Sequence, residues 1–315
     1  MEVKQPTTYS EQIEILKNRG CCIENEEKCK AFISRVNYYR LTAYFLPFKE
    51  HDDKYISGTS LEQIFSIYDF DRKLRNIIFS VVEEIEIGLR AQLAYYHAHK
   101  YGSEGYTDPG NFDKKHNHAK FVGLYSNEIE NNKKVPFVKH HIEKYEGHFP
   151  IWVIIDLFSF GMLSRFYADL KREDRKIIAK STYRTTDTNV ISWLRCCTDI
   201  RNICAHYGRL YYRIFPAIPA TPNGLEFTLG RTLFDNIMVL KFLHPDYDSW
   251  KCEFIPALTE LIEAYSGIIR LSDIGFPEDW RERLMKKDDF LWLTPEKRMD
   301  RERVSSPTDS AQTNF

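Results

Sequence analysis

Apolar side chains recur at steps of three and four along most of this chain, the period of a helix with one buried face. From Ser60, which with Gln63 fits an N-terminal capping box, Ile67, Phe70, Leu74, Ile78, Val82, Ile85, Leu89, Leu93 and Tyr96 keep that period. This predicts one long helix, about 60 Å if unbroken. Shorter helices are predicted over Ser10–Arg19, closed by Gly20, and from Glu26 through "AFISRVNYYRLTAYFLPF" to Pro47. The loop "YGSEGYTDPGNFD" precedes a more polar helix over His116–Asn131. Ile151–Leu163 reads as a buried helix in which Gly161 marks a close helix crossing. Val190, Trp193, Cys197, Ile200, Cys204 and Tyr211 carry a helix from Thr188 to about Tyr212, where "IFPAIPATPNG" breaks it. Arg231–Leu243 and Glu253–Leu271 are further helices, and "IGFPEDW" is a packed turn. The expected fold class is all-α, with at most a short strand pair near Arg213–Thr228. Residues 1–50 are expected as an N-terminal helical subdomain, 58–280 as the helical core, and the mostly polar 293–315 as a disordered tail.

Composition adds limits. The 315 residues are 43% hydrophobic and 14% aromatic, ample for a core. The 44 basic and 45 acidic side chains nearly cancel, so a polyanion has to be met by a local patch and not by overall charge. Seven cysteines, including the adjacent pairs Cys21–Cys22 and Cys196–Cys197, lack zinc spacing and read as reduced, packed thiols of a cytoplasmic protein. The start "MEVKQPTTYSEQIEI" has no apolar run behind a basic segment, so no leader is expected. Ile151–Leu163 is only about 20 Å of helix, too short for a bilayer, so no membrane association is expected.

One stretch breaks the even charge: "TDIRNICAHYGRLYYR", Thr198–Arg213, gathers Arg201, Asn202, His206, Arg209 and Arg213. Arg followed directly by Asn, with His five residues after the Arg, has a chance expectation of roughly 0.03 per chain of this composition, low enough to pursue. On an ideal helix Arg195, Asp199, Asn202, His206, Arg209 and Arg213 share one stripe, opposite the apolar one. Arg201 lies about 140° from His206, so the two meet only if Arg201 reaches round, the helix deforms, or a second copy supplies one partner. A solvated charged face is one reading. The other is metal-free RNA cleavage, in which an imidazole moves protons near neutral pH and a guanidinium stabilises the phosphorane. Asn202 then orients the imidazole or the phosphate, and a two-fold dimer supplies a second histidine.

The long helix offers a second stripe, Glu83, Ile87, Arg90, Ala94 and His97, with Arg90 one turn from Glu86 as a structural ion pair. His116 with His118 and the pair His140–His141 lack a third ligand, and no Gly-rich phosphate loop is present, so neither metal nor cofactor is expected. The aromatic run Tyr38–Phe45 is mostly core, with Arg40 as its phosphate contact.

In order, "EQIEILKNRG", "VNYYRLTAYFLPF", "FDRKLRNIIFSVVEEIEIGLRAQLAYY", "PIWVIIDLFSFGMLSRFYADLK", "SWLRCCTDIRNICAHYGRLYYR" and "GFPEDW" resemble the Abi (abortive infection) family of bacteriophage-resistance proteins, its AbiD/AbiF-like group. The resemblance covers roughly residues 8–280. That group is similar to the HEPN superfamily of helical proteins, whose R-x4-6-H motif marks metal-independent endoribonucleases, often dimeric. The resemblance implies an HEPN-like bundle and an antiphage RNA-cleaving toxin in which Arg201 and His206 carry the motif, with Asn202 beside them. It implies support from Arg90, a homodimer, and possible control by a small non-coding RNA; the residues themselves offer Arg195, Arg209, Arg213 and Arg40 as RNA-backbone contacts and Glu86 as the partner of Arg90. The alternative is an RNA-binding or sensing protein of the same fold without turnover.

Overall fold

The computed structural model describes residue 3 and residues 5–287, and among these it is helical, with only three isolated β-bridges in place of strands. In chain order, α1 (Tyr9–Asn18), α2 (Glu26–Arg35) and α3 (Tyr38–Phe45) lead into α4 (Leu61–Tyr101). Next come α5 (His118–Asn131), α6 (Pro136–Lys144), the short α7 (Ile151–Ile154), α8 (Phe160–Asp169), α9 (Arg172–Ile178) and α10 (Asp187–Ala205). The described residues end with α11 (Leu233–Leu243), the single turn α12 (Tyr247–Ser249), α13 (Ile255–Ala264) and α14 (Trp280–Met285).

The 41-residue α4 is the post around which α3, α7, α8, α10, α11 and α13 pack. Ser60 caps it, its hydroxyl accepting from the Gln63 amide at 3.1 Å. Its many β-branched residues are mediocre helix formers, at a cost of a few tenths of a kcal/mol each. Ile64, Phe70, Leu74, Ile78, Ile85 and Leu89 are nevertheless sealed in the core, where each contributes about 1.5–3 kcal/mol. Burial therefore outweighs propensity.

Four local expectations need correction. The helix expected from Glu26 to Pro47 is two, because Val36 is extended and the Asn37 side chain accepts from the Tyr39 amide to start α3. Ile151–Leu163 is likewise divided, since Phe158 is extended and Ser159 caps α8 through the Met162 amide. Gly161 does face α10, but a Cβ there would sit 3.8 Å from the Thr198 methyl, an ordinary contact and not a crossing only glycine permits. The helix predicted to Tyr212 stops at Ala205, and Arg213–Thr228 is irregular chain without a strand pair. Trp193 Nε1 and Ser192 Oγ hold that irregular segment through the backbone of Ala220. The tail from 293 lies outside the described residues.

His97, on the second stripe of α4, is sealed in the core among Tyr101, Phe112 and Phe166. It is out of reach of any substrate. Burial disfavours its cation and pushes its pKa down to about 4 from 6.5. An unfolded chain takes up this proton as pH falls through 6.5 while the folded one refuses it. The stabilisation is thus present above pH 6.5 and is lost towards pH 4, by about 3 kcal/mol. Urea unfolding at pH 7 and pH 4.5 should show this slope in the native protein and a shallower one in His97→Phe.

Candidate functional site: the end of helix α10

The motif helix ends in a way its apolar period conceals. His206 is the C-cap of α10, Tyr207 follows at φ 57° and Gly208 completes the turn. The Gly208 amide donates to the Ile203 carbonyl at 2.7 Å and the Tyr207 amide to the Cys204 carbonyl at 3.1 Å, the pair of bonds of a Schellman cap. A side chain at Gly208 would meet Ile203 atoms at 3.0 and 3.2 Å, so the turn is tight there. Tyr207 holds a left-handed conformation that costs a non-glycine residue about 1 kcal/mol. The result places His206 on the surface, exposed, with no hydrogen bond to its ring among the described residues. Asn202, one turn earlier, is also exposed.

A buried polar cluster holds this turn. Asp71 of α4, fully buried, accepts from the Leu210 amide at 3.1 Å, the Tyr211 amide at 2.8 Å, the Tyr44 hydroxyl at 2.6 Å and the Arg75 guanidinium. Arg75 in turn donates to the Gly208 carbonyl at 3.1 Å. Burial works to raise the Asp71 carboxyl, while Arg75, Tyr44 and the two amides favour its charge. The chain after His206 is therefore fastened to α4 on both sides of Arg209. Sequence reasoning missed Asp71, Arg75 and Tyr44, although the "DRKLR" spacing sets an acid and a base one turn apart beside Leu74 and Ile78.

Arg201 points to a different part of α4. Its Nε lies 3.4 Å from Glu86 Oε2, and Glu86 Oε1 also accepts from Arg90 at 2.7 Å. Arg90 reaches further, to the carbonyls of Ile155 at 3.2 Å and Phe158 at 2.6 Å, and so ties down the break between α7 and α8. Arg90 and Glu86 thus form the ion pair expected of them and also seat Arg201. Two guanidinium charges share the Glu86 carboxylate. Arg201 Nη1 approaches Asn202 Oδ1 at 3.5 Å, and no hydrogen bond joins Arg201 to His206 within the chain.

The remaining arginines differ in their freedom. Arg195 is exposed on α10, and it and Arg213 act on Asp199, whose carboxyl burial raises while both cations oppose the rise. Arg213 also donates to the Arg209 carbonyl at 3.0 Å. Arg209 is committed to α3: it donates to the Ala43 carbonyl and lies over the Tyr44 ring at 5.9 Å. Arg40, exposed on α3, donates to the Tyr207 carbonyl, which brings it to the His206 turn.

Elsewhere, His116 shares one ring nitrogen with Asp169 at 3.0 Å and the other with His118 at 3.2 Å, so its nitrogens are spent on hydrogen bonds. Among the described residues no group of three or more His, Cys, Asp or Glu side chains could hold a metal ion, and no helix is long and apolar enough to cross a membrane.

Among the described residues the fold is all-helical, and α10 ends in an exposed histidine five residues after an arginine held beside a carboxylate. Residues 31–212, from within α2 to just past the His206 turn, match the model of the Abi-like protein family. The chain belongs to that family. No curated protein and no solved structure matches it.

Proposed function

We propose that this protein is an abortive-infection effector that cleaves RNA without a metal ion, using Arg201, Asn202 and His206. What supports the reading is the family match, together with an unengaged, exposed imidazole on His206 and, five residues before it, the Arg201 guanidinium held beside Glu86. In the reaction a 2′-hydroxyl attacks the adjacent phosphorus, its proton passes to an imidazole, and the P–O5′ bond breaks as O5′ takes a proton. The products are a 2′,3′-cyclic phosphate and a 5′-hydroxyl. Arg201 supplies charge to the equatorial oxygens of the phosphorane, and Asn202 orients His206 or the phosphate.

One imidazole serves poorly as base and acid in the same step, so a homodimer that brings a second His206 to the phosphate belongs to the proposal. Arg195, Arg213 and Arg40 hold the RNA backbone, while Arg209 holds α3 to the motif turn. A small non-coding RNA occupying the same surface is the proposed means of control. The test is incubation of purified protein with labelled RNA in excess chelator. Cleavage is expected, and its absence together with retained RNA binding would favour a sensing protein of the same fold.

A further inference from the structure

A cavity of about 620 Å³ beside the motif turn lies between α3, α4 and the end of α10. It is lined by Arg40, Arg72 and Arg75, by Asn76, Tyr68 and Phe79, and by Cys204, Ala205 and Tyr207. Three arginines and no acid line it, in a chain whose overall charge is −1. Ala205 and Tyr207, which line it, flank His206 in the sequence, so the cavity lies at the same helix end that carries the imidazole. Phe79 and Tyr207 are exposed aromatics, at 38% and 69%. Asn76 is exposed, and its amide makes no hydrogen bond among the described residues. Arg72 is exposed and, among the described residues, paired with Asp69 at 2.9 Å, whereas Arg75 is spent on Asp71 and Gly208.

We infer that this cavity receives one unpaired base of a single-stranded RNA next to the scissile phosphate, and that Asn76 sets the preference for that base. The inference rests on the cleavage reading above for the word scissile, but the site itself stands on its own lining. A volume of this size suits a single nucleotide and not a duplex. Aromatic faces take any base by stacking, which leaves discrimination to a group able to pair with a base edge. A free side-chain amide carries both a donor and an acceptor for this, the pattern by which Asn pairs bidentately with adenine. Arg40 and Arg72 then hold the flanking phosphates, adding affinity without sequence preference.

Two measurements on the full chain test this. His206→Ala protein, which retains the cavity, is titrated with a fluorescent 12-nucleotide RNA, single-stranded or annealed to its complement. The cut positions of native and Asn76→Ala protein are mapped on an RNA pool of random sequence. Tighter binding of the single strand is expected. Phe79→Ala should weaken it by about 5- to 100-fold. Arg72→Ala should weaken all sequences alike and lower the salt dependence by about one phosphate contact. Asn76→Ala should flatten the base preference at one position beside the cut, read as the relative frequency of each base there among the fragments. Equal binding of duplex and single strand, or an unchanged cut profile in Asn76→Ala, overturns the inference. If native protein binds the single strand through Phe79 and Arg72 but never cuts, the cleavage reading fails and the cavity assignment survives. If it cuts and none of the three substitutions matters, the reverse holds.

Discussion

His206→Ala should lower chelator-resistant RNA cleavage by about 10²- to 10⁴-fold, the range that one positioned acid or base contributes. Its thermal midpoint should stay within the scatter of a surface substitution, because the ring is exposed and makes no hydrogen bond. Arg201→Ala should remove activity on a similar scale, for a different reason: charge at the phosphorane is lost, and no proton carrier. Arg201→Lys keeps a cation but loses the planar fork, and should recover only a small part. Glu86→Gln separates seating from chemistry. It leaves Arg201 intact while weakening what holds it at 3.4 Å, so a partial loss is expected. A native cleavage rate in His206→Ala would remove the imidazole from the reaction.

Asp71→Ala is the substitution with the largest expected effect on stability. Removing the carboxylate strands the Arg75 guanidinium, the Tyr44 hydroxyl and the amides of Leu210 and Tyr211, all in the interior. Breaking one side of a buried ion pair costs about 3–5 kcal/mol, a large share of the stability of most domains. Urea unfolding measures the loss. Hydrogen exchange adds a local readout: the Leu210 and Tyr211 amides, protected by Asp71 in the native protein, should exchange fast in the variant at temperatures where it remains folded. Asp71→Asn, which keeps the shape and loses the charge, should fall between the two. The same substitutions should depress cleavage beyond their effect on the folded fraction, because the His206 turn loses its attachment to α4.

Much of the fold was legible because burial in this chain follows a helical period. α4 was readable from Ser60 through its apolar stripe, and α10 from Val190 to Cys204. What failed was the detection of stops that use side chains other than glycine and proline. Asn37 and Ser159 cap new helices inside runs whose apolar period continues unbroken, so periodicity carried across them. At the motif the signal was present, since Gly208 lies just past the last turn, but Tyr211 fell in phase with Cys204 and concealed it. Arg209 and Arg213 therefore left the expected stripe. Arg209 turned to α3, while Arg213 came back towards Asp199 by another route. The approach of Arg201 to Glu86 was not foreseen either, because it joins residues 115 positions apart. A single sequence shows which residues share a helix face, and not which helices face each other.

The chemistry of the fragment ends is the most direct test of the central claim, that Arg201 and His206 promote attack by the RNA's own 2′-hydroxyl. Native protein is incubated in chelator with an end-labelled single-stranded RNA, and the new termini are identified by mass spectrometry. The account predicts a 2′,3′-cyclic phosphate with a 5′-hydroxyl, and no cutting at a position carrying 2′-deoxyribose. Fragments bearing a 3′-hydroxyl and a 5′-phosphate, or cutting that ignores the 2′-deoxy substitution, would contradict it.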